Sequence, residues 1–516
     1  MSTTNRFDRS AIIKSLLVLA IFALGIALRV YDLTDQPIDF HPTRQLRGAI
    51  IARGMYYEMS ASADPETTQQ AIQFWQSTGQ YEPSILERIV AFTYLFSGGE
   101  RLWISRLYTT LFWCIGGIAL FALGLRMARS DSSKNQSGLD ENVAFGSALI
   151  GLTYYLILPF SVQASRSFQP DPGMVMWIML AIYAFYRWAE KQDWKWAILA
   201  GLLAGMAVIT KAVAAYFVAG AAIAMVIHTL SLKKLWRNPQ VWTMALLMIA
   251  PTAVFYLGRG GRASEFLSSW TVSLSHLLVQ PSFYMRWLNL VQNLTGLTIL
   301  MLGLLGILIS THRNRTLLIG LWGGYALYGL TLPYQMYTHN YYHLAVIPIL
   351  SLSLIPVSEL ILKRILQQGK IWQIFSLGVV LMVIIFTSWQ AIFPQYADDY
   401  RNEPPYWSEI TSYLPAEGKI LALTQDYGYR LMYYGWRKVS LWPNRGEQKL
   451  MNLRGSEKEF EQFFAKRTED KSYFLITAFS QFNDQPALQK YLADNYPVLV
   501  EGDGYLIYDL REPVVQ

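Results

Sequence analysis

Residues 201–237 read GLLAGMAVITKAVAAYFVAGAAIAMVIHTLSLKKLWR. Between 201 and 232 the only Lys, Arg, Asp or Glu is Lys211. We read two membrane helices here, about 194–209 and 212–232, meeting in an outward turn at Lys211. The choice decides the fold, because losing that turn would invert every loop downstream.

The loops on either side keep one sign pattern, and that pattern favours the turn. A spanning helix needs about 20 apolar residues. Besides the pair at Lys211, candidate spans lie at about 11–30, 104–126, 143–160, 173–189, 240–258, 287–309, 316–333, 342–362 and 371–392. With the N-terminus inside, Arg6, Arg9 and Lys14 fall on the cytoplasmic side. So do the clusters Arg126, Arg129, Lys134; Arg187, Lys191, Lys195; Lys233, Lys234, Arg237; Arg313, Arg315; and Lys363, Arg364, Lys370. Eleven spans then place the C-terminal segment outside. The first span has no small-residue cleavage site and reads as a retained anchor.

Composition agrees. Of 516 residues, 53% are apolar and 15% charged, against about a quarter charged in soluble proteins. The formal charge of +7 is spread in short clusters between apolar runs, which argues for membrane orientation rather than nucleic-acid binding. A single cysteine, Cys114, excludes an intrachain disulfide and a Cys-rich metal site. The expected architecture is an all-α multi-span membrane domain, 1–393, followed by a small extracytoplasmic α/β domain, 394–516. In the tail, KILALT, SYFLITAF and YLIYDL read as strands, and PPYWSEITSYL and EKEFEQFFAKR as helices. The polar segment SDSSKNQSGLDEN reads as a flexible connection.

The first outer loop, 31–103, is too long for a mere connector. It opens with YDLTDQPIDFHPTRQ, whose prolines make an extended turn, with Thr43 as the expected cap of a following helix. TRQLRGAIIARGMYYE, TTQQAIQFWQS and SILERIVAFTYLF read as helices lying in the membrane interface. Asp39, at the membrane edge, is a candidate general base toward an acceptor hydroxyl; the plain alternative is a turn-capping carboxylate. Arg44 and Arg47 suit phosphate oxygens or lipid headgroups.

These residues resemble the polytopic glycosyltransferases of the C-type (GT-C) fold that use polyprenyl-phosphate sugars. Within them, the sequence is most similar to the protein O-mannosyltransferase and lipid A aminoarabinose transferase group, glycosyltransferase family 39. The resemblance rests on Asp39 early in the first outer loop and on YEPSILERIVAFTYLFSGGERLWISRLYTTLFWCIGG, with Pro83 and Arg106. It rests further on SFQPDPGMVMW with Asp171, GLLAGMAVITK with Lys211, and HNYYHLAVIPIL. It covers about residues 10–230. Asp39 is followed by Phe40 and His41 where many relatives carry Asp-Glu, and Glu82-Pro83-Ser84 stands in place of a basic or His residue before two prolines. The resemblance implies a GT-C fold, a lipid-phosphate sugar donor, an unidentified lipid, glycan or protein acceptor, and inversion at the anomeric carbon. It implies Asp39 as base, Asp171 as an assisting acid or a help to a divalent ion, and Lys211, Arg166, Arg44, Arg262, His339 and His343 at the donor phosphate. His41, Glu58 and Glu82 are candidates on the acceptor side.

Asp171 could equally cap a helix, and Lys211 could snorkel to the surface. His339 and His343, four apart, could share a metal on a helix, but no third ligand is near; no cofactor is required and a divalent ion is left open. No Gly-rich phosphate loop occurs. A transporter or flippase of lipid-linked sugars is the alternative class, expected to carry titratable sites deep in several spans and two similar halves. Here such residues gather at the outer boundary, so a multi-pass transferase of the plasma (inner) membrane is favoured.

Overall fold

The computed structural model describes residues 9–60, 64–79, 82–131, 138–257, 268–455 and 459–513. The chain divides into two compact units. One comprises Met1–Leu33, Tyr81–Ile85 and Ser105–Ala397; the other Thr34–Gln80, Leu86–Ile104 and Asp398–Gln516. The long first loop, counted with the spans from sequence, thus groups by its contacts with the tail.

The first unit is helical. It contains α1 (Arg9–Val30), and after the loop helices α2 (Pro42–Met59), α3 (Pro65–Ser77) and α4 (Ile85–Ser97) it resumes with α5 (Trp103–Asp131). Then come α6 (Gly138–Ile157), α7 (Pro159–Arg166), α8 (Asp171–Lys191), α9 (Trp194–Thr210), α10 (Ala214–Thr229), α11 (Leu232–Leu235) and α12 (Pro239–Leu257). After residues 258–267 follow α13 (Pro281–Thr295), α14 (Leu297–Ile309), α15 (His312–Thr331), α16 (Pro333–Thr338), α17 (Val346–Leu366) and α18 (Lys370–Ala397). Within the described residues every apolar run named above is largely helical, but two are not straight spans. The run 143–160 bends by 58° between α6 and α7, where Pro159 begins the second helix, and 287–309 bends by 99° between α13 and α14. Gly296, at φ 83°, makes the second bend in a conformation other residues avoid. Among the described residues four helices are long and apolar enough to cross a membrane by length and composition, or six with each bent pair counted once; α9, α10 and part of α12 are shorter apolar helices.

The Lys211 question is answered by side-chain contacts, which sort the loops into two sets. At one set of ends Glu190 binds Arg126, Arg187 and Arg313, Lys14 pairs with Glu141, and Lys363 with Asp140. His228, near the end of α10, meets His312 at 3.0 Å, and Trp188 donates to Gln240 at the start of α12. These are the loops read as basic and cytoplasmic. At the other set, Lys211 pairs with Asp171, and Arg166 reaches the Asp32 carbonyl. Helices α9 and α10 therefore each traverse the unit and turn between at residues 211–213. Packing of α10 on α15 is backbone-close: a Cβ on Gly320 would collide with the Gly220 carbonyl, and one on Gly324 with that of Tyr216. Small residues permit such approach between membrane helices. The outward sides of α1 and α18 stay apolar and exposed, as lipid contact requires.

The second unit joins α2–α4 to an α/β tail: α19 (Glu403–Ser412), β1 (Ile420–Leu423), α20 (Tyr429–Tyr434), β2 (Ser440–Leu441), α21 (Arg445–Leu453), α22 (Phe460–Thr468), β3 (Tyr473–Ile476), α23 (Phe479–Asn483), α24 (Pro486–Asn495), β4 (Val498–Gly502) and β5 (Tyr505–Asp509). The sheet order is β2-β1-β3-β5-β4, with β2, β1 and β3 parallel and β5 antiparallel to both its neighbours. Alternate strand residues bury on opposite faces. Leu421, Leu423, Phe474 and Ile476 pack with Phe464, Phe482, Leu488 and Leu492, whereas Ile420, Ala422 and Leu475 pack with Trp407, Ile410 and Leu431.

Helix α2 corrects an expectation. It was read as interfacial, yet Gln45 through Met55 are buried without a break, Arg47 and Arg53 among them. Its guanidinium groups are enclosed by protein rather than by lipid headgroups: Arg47 donates to the Gly79 carbonyl at 2.8 Å. Arg53 binds both Glu100 oxygens at 3.0 and 2.9 Å, donates to the Tyr433 carbonyl, and lies between the Tyr433 and Trp436 rings. Burial alone would lower the Arg53 pKa, but Tyr433 and Glu100 raise it above the ordinary arginine value. Removing one partner of such a buried pair costs about 3–5 kcal/mol. Arg53→Ala is accordingly expected to lower the urea midpoint of the second unit, followed by its tryptophan fluorescence, and Arg53→Lys to recover less than half of the loss, because ammonium cannot reproduce the fork. Helix α4, by contrast, keeps an apolar exposed side at Ile85, Phe92, Leu95 and Phe96, as an interfacial helix does.

Candidate functional site

In the first unit the site is built where α8 begins and α9 ends. Asp171 is the first residue of α8, but its carboxylate makes no capping bond. Its Oδ1 accepts from Lys211 Nζ at 2.8 Å, with side chains only 2% and 5% exposed. Lys211 ends α9 in extended backbone, and its side chain is buried against Asp171 instead of snorkelling to the surface. The ammonium lies 5.2 and 5.1 Å from the Tyr341 and Tyr342 ring centroids. Stacked Tyr216, Tyr328 and Tyr342 continue this aromatic wall. Among the described residues Nζ makes no hydrogen bond besides that to Asp171, and Asp171 Oδ2 makes none. An ammonium has three hydrogens, so the pair retains donor capacity for an anion that enters.

Buried arginines gather around the exit of α1. Arg166, ending α7, donates to the Asp32 carbonyl at 3.1 Å, and Arg106 to the Leu33 carbonyl at 2.8 Å. Arg29 donates to Ser165 Oγ and to the Leu156 carbonyl, each at 2.7 Å. Arg29 was missed in the sequence because it ends an apolar run, where an arginine reads as a flank.

The histidines separate. His339 ends α16 and His343 closes a 3-10 turn, Asn340–His343, so they do not share a helix face. His343 is buried: Nε2 faces the Met336 carbonyl at 3.0 Å and so must carry the proton, leaving Nδ1 to accept from Tyr325 Oη at 2.7 Å. Both nitrogens are thus used within the protein. His339 meets Thr338 Oγ1 and lies beside the Tyr341 and Tyr342 rings. Among the described residues no three His, Cys, Asp or Glu side chains assemble a metal site. Glu82 is half-buried, and Arg262 lies outside the described residues.

In the second unit the site is the turn carrying Asp39. Asp35 accepts from the backbone N–H of Gln36 and of Tyr400, pinning the turn to the start of the tail. Asp39 Oδ1 accepts from Gln45 Nε2 at 2.9 Å, and the same amide reaches the Phe40 carbonyl at 2.8 Å. Gln45 is fully buried on α2, so it fixes the carboxylate's direction. His41 sits at φ 47° and begins α2 with Pro42 in its first turn; Thr43, the expected cap, instead donates to Asp426 Oδ1 at 3.1 Å. Asp426 binds Arg430, which also binds Glu403 at 2.9 Å. Burial raises the Tyr400 pKa, and the Asp398 and Asp39 carboxylates add to that. Arg44 is half-buried on the first turn of α2, and Glu58 is exposed near its end. Gln45, Tyr400 and Asp426 were not singled out in the sequence, for their role appears only through these contacts.

A family model described as dolichyl-phosphate-mannose-protein mannosyltransferase matches residues 141–256. This stretch contains Arg166, Asp171 and Lys211. A crystal structure of ArnT from Cupriavidus metallidurans bound to undecaprenyl phosphate superposes with a TM-score of 0.51 at 13% identity, over 95% of this chain and 97% of that one. The fold is that of ArnT. The apo state of ArnT from the same organism matches with a TM-score of 0.49, also at 13% identity, over 96% and 98% of the two chains. A search of curated proteins returns no match. The ArnT-like fold and the apolar helices describe a multi-pass membrane protein with a GT-C architecture and a small C-terminal sheet domain.

Proposed function

We propose that the chain is a membrane glycosyltransferase that moves a sugar from a polyprenyl-phosphate carrier to an acceptor hydroxyl. The observation that carries this reading is that the stretch resembling the mannosyltransferases holds the buried Lys211–Asp171 pair under its tyrosine wall. A buried, paired ammonium with unused hydrogens suits a leaving phosphate, where stabilisation of developing charge is usually the largest catalytic contribution.

In the proposed reaction the acceptor oxygen attacks C1 of the sugar. The new O–C1 bond forms as the bond from C1 to the phosphate oxygen breaks, and the acceptor proton passes to the Asp39 carboxylate. Lipid phosphate leaves with the electron pair, its charge met by Lys211 with Arg166 and Arg44 as further cations. Asp171 holds the ammonium in place. Single attack inverts the anomeric centre. The reaction takes place on the extracytoplasmic side of the plasma membrane, with the N-terminus cytoplasmic.

The test is transfer by purified, reconstituted chain from a panel of radiolabelled polyprenyl-phosphate sugars to an envelope extract. Label from one donor should enter the acceptor, with the opposite anomeric configuration by NMR. Movement of intact lipid-linked sugar between bilayer leaflets, without bond cleavage, would replace the transferase with the flippase.

A further inference from the structure

The tail has a feature that the proposed transfer reaction does not use. In its sheet, β1 and β3 are adjacent and parallel, yet the chain leaves β1 toward α20 on one face and leaves β3 toward α23 and α24 on the other. Where neighbouring parallel strands feed opposite faces, their carboxyl ends part and leave a crevice, the usual ligand position in open α/β sheets. A cavity of about 690 Å³ opens there, within the range of small-molecule sites.

Its walls follow directly from the strand ends: Thr424 and Gln425 after β1, Arg445 and Lys449 on α21 after β2, and Ser480 and Gln481 after β3. Thr424 and Thr477 hydroxyls meet at 2.8 Å across the parting strands, and Gln425 bonds Thr477 through both its amide oxygen and nitrogen. The lining is polar, which excludes an isoprenoid chain. Its charge is positive: the Asp426 oxygens are taken by Thr43 and Arg430, whereas Lys449 is exposed and makes no ion pair among the described residues. Arg445 pairs with Asp484 at 2.8 Å, with both side chains about half exposed, so an anion can compete for it. Phe479 lines the same cavity and offers a ring for stacking. Asp426 and Tyr427 occupy left-handed backbone at φ 51° and 56°, a conformation that non-glycine residues adopt at a cost. Through Thr43, the cavity wall is tied to the turn that carries Asp39.

We infer that this cavity binds a saccharide bearing phosphate or carboxylate, the anionic head of the acceptor. Calling it the acceptor rests on the proposed transfer reaction; the binding itself does not. A phosphorylated headgroup of a membrane lipid shares part of this chemistry, so the test separates the two. Full-length chain in nanodiscs would be titrated calorimetrically, without donor, with glucose 6-phosphate, glucose and glycerol phosphate. Glucose 6-phosphate should bind best, and Lys449→Glu should weaken it about tenfold or more, the scale of one charge-assisted hydrogen bond. Lys466→Gln, at a cation on α22 outside the cavity, should leave it unchanged. Because Lys449 is exposed and makes no ion pair among the described residues, its variant should fold, checked by the melting curve.

Equal affinity of wild type and Lys449→Glu, or no preference over glucose, would overturn the site. Tighter binding of glycerol phosphate would overturn the saccharide and assign the cavity to lipid. Wild-type transfer without glucose 6-phosphate binding removes the cavity and keeps the transferase. Lys449-dependent binding by a chain that moves sugar from no donor keeps the cavity and removes the transferase.

Discussion

Asp39→Asn is expected to slow sugar transfer by about 10²–10⁴-fold, the usual contribution of a positioned acid–base group. The substitution is nearly isosteric, and the Asn oxygen can still accept from Gln45 Nε2, which in the wild type lies 2.9 Å from Oδ1. The loop should therefore keep its shape, and the melting temperature should stay within about a degree or two, as for changes that leave packing intact. What is lost is proton acceptance, because an amide does not take a proton at neutral pH. Donor affinity should be unchanged, so the loss falls on kcat. Gln45→Leu separates chemistry from positioning. It leaves the carboxylate but removes its buried orienting donor, and should lower kcat less than Asp39→Asn does. Full activity of Asp39→Asn at normal protein level would remove this residue from the mechanism and turn attention to Glu58.

The second large effect is at Lys211. Lys211→Met strips a buried carboxylate of its partner, since Asp171 is 2% exposed and its other oxygen makes no hydrogen bond among the described residues. Loss of one member of a buried pair costs about 3–5 kcal/mol. Donor affinity should fall by about 10–150-fold as well, the equivalent of one hydrogen bond to a charged group. The double variant Lys211→Met/Asp171→Asn separates the two losses. With no charge left to bury, stability should return close to wild type, while donor binding stays weak. Thermal unfolding and titration with polyprenyl phosphate read them independently. Recovery of donor binding along with stability would make the pair purely structural.

The same residues show where local sequence suffices. A lone Lys in an apolar run is costly in a membrane, so Lys211 had to mark a turn, and the pairing of Glu190 with three arginines confirms which loops share a side. The tail strands Ile420–Leu423, Tyr473–Ile476 and Tyr505–Asp509 were legible as short apolar runs. The strand Ser440–Leu441 was not: two residues carry no period, and only pairing with β1 makes them a strand. Strand β4 escaped because its residues are largely exposed at the sheet edge.

Misreadings were of a consistent kind. Arginines on α2 looked like headgroup contacts, because basic residues near an apolar face suit a lipid surface as well as a protein interior. What distinguishes the two is whether a carboxylate or carbonyl stands opposite, here Glu100, Gly79 and Tyr433. Likewise the spacing of His339 and His343 suits a helix, but the backbone breaks at His339 and sends them apart.

By itself, then, the sequence determined the apolar helices, their alternating basic ends, the turn at Lys211 and the α/β character of the tail. These depend on hydropathy, charge and short-range periodicity, which neighbouring residues carry. Only the tertiary structure decided that Asp171, forty residues away, neutralises Lys211, that Gln45 aims Asp39, and that the first loop packs with the tail. Each of those is a contact between buried polar groups distant along the chain, selected because an unpaired charge or amide in the interior is too costly to leave, and no local pattern records the partner.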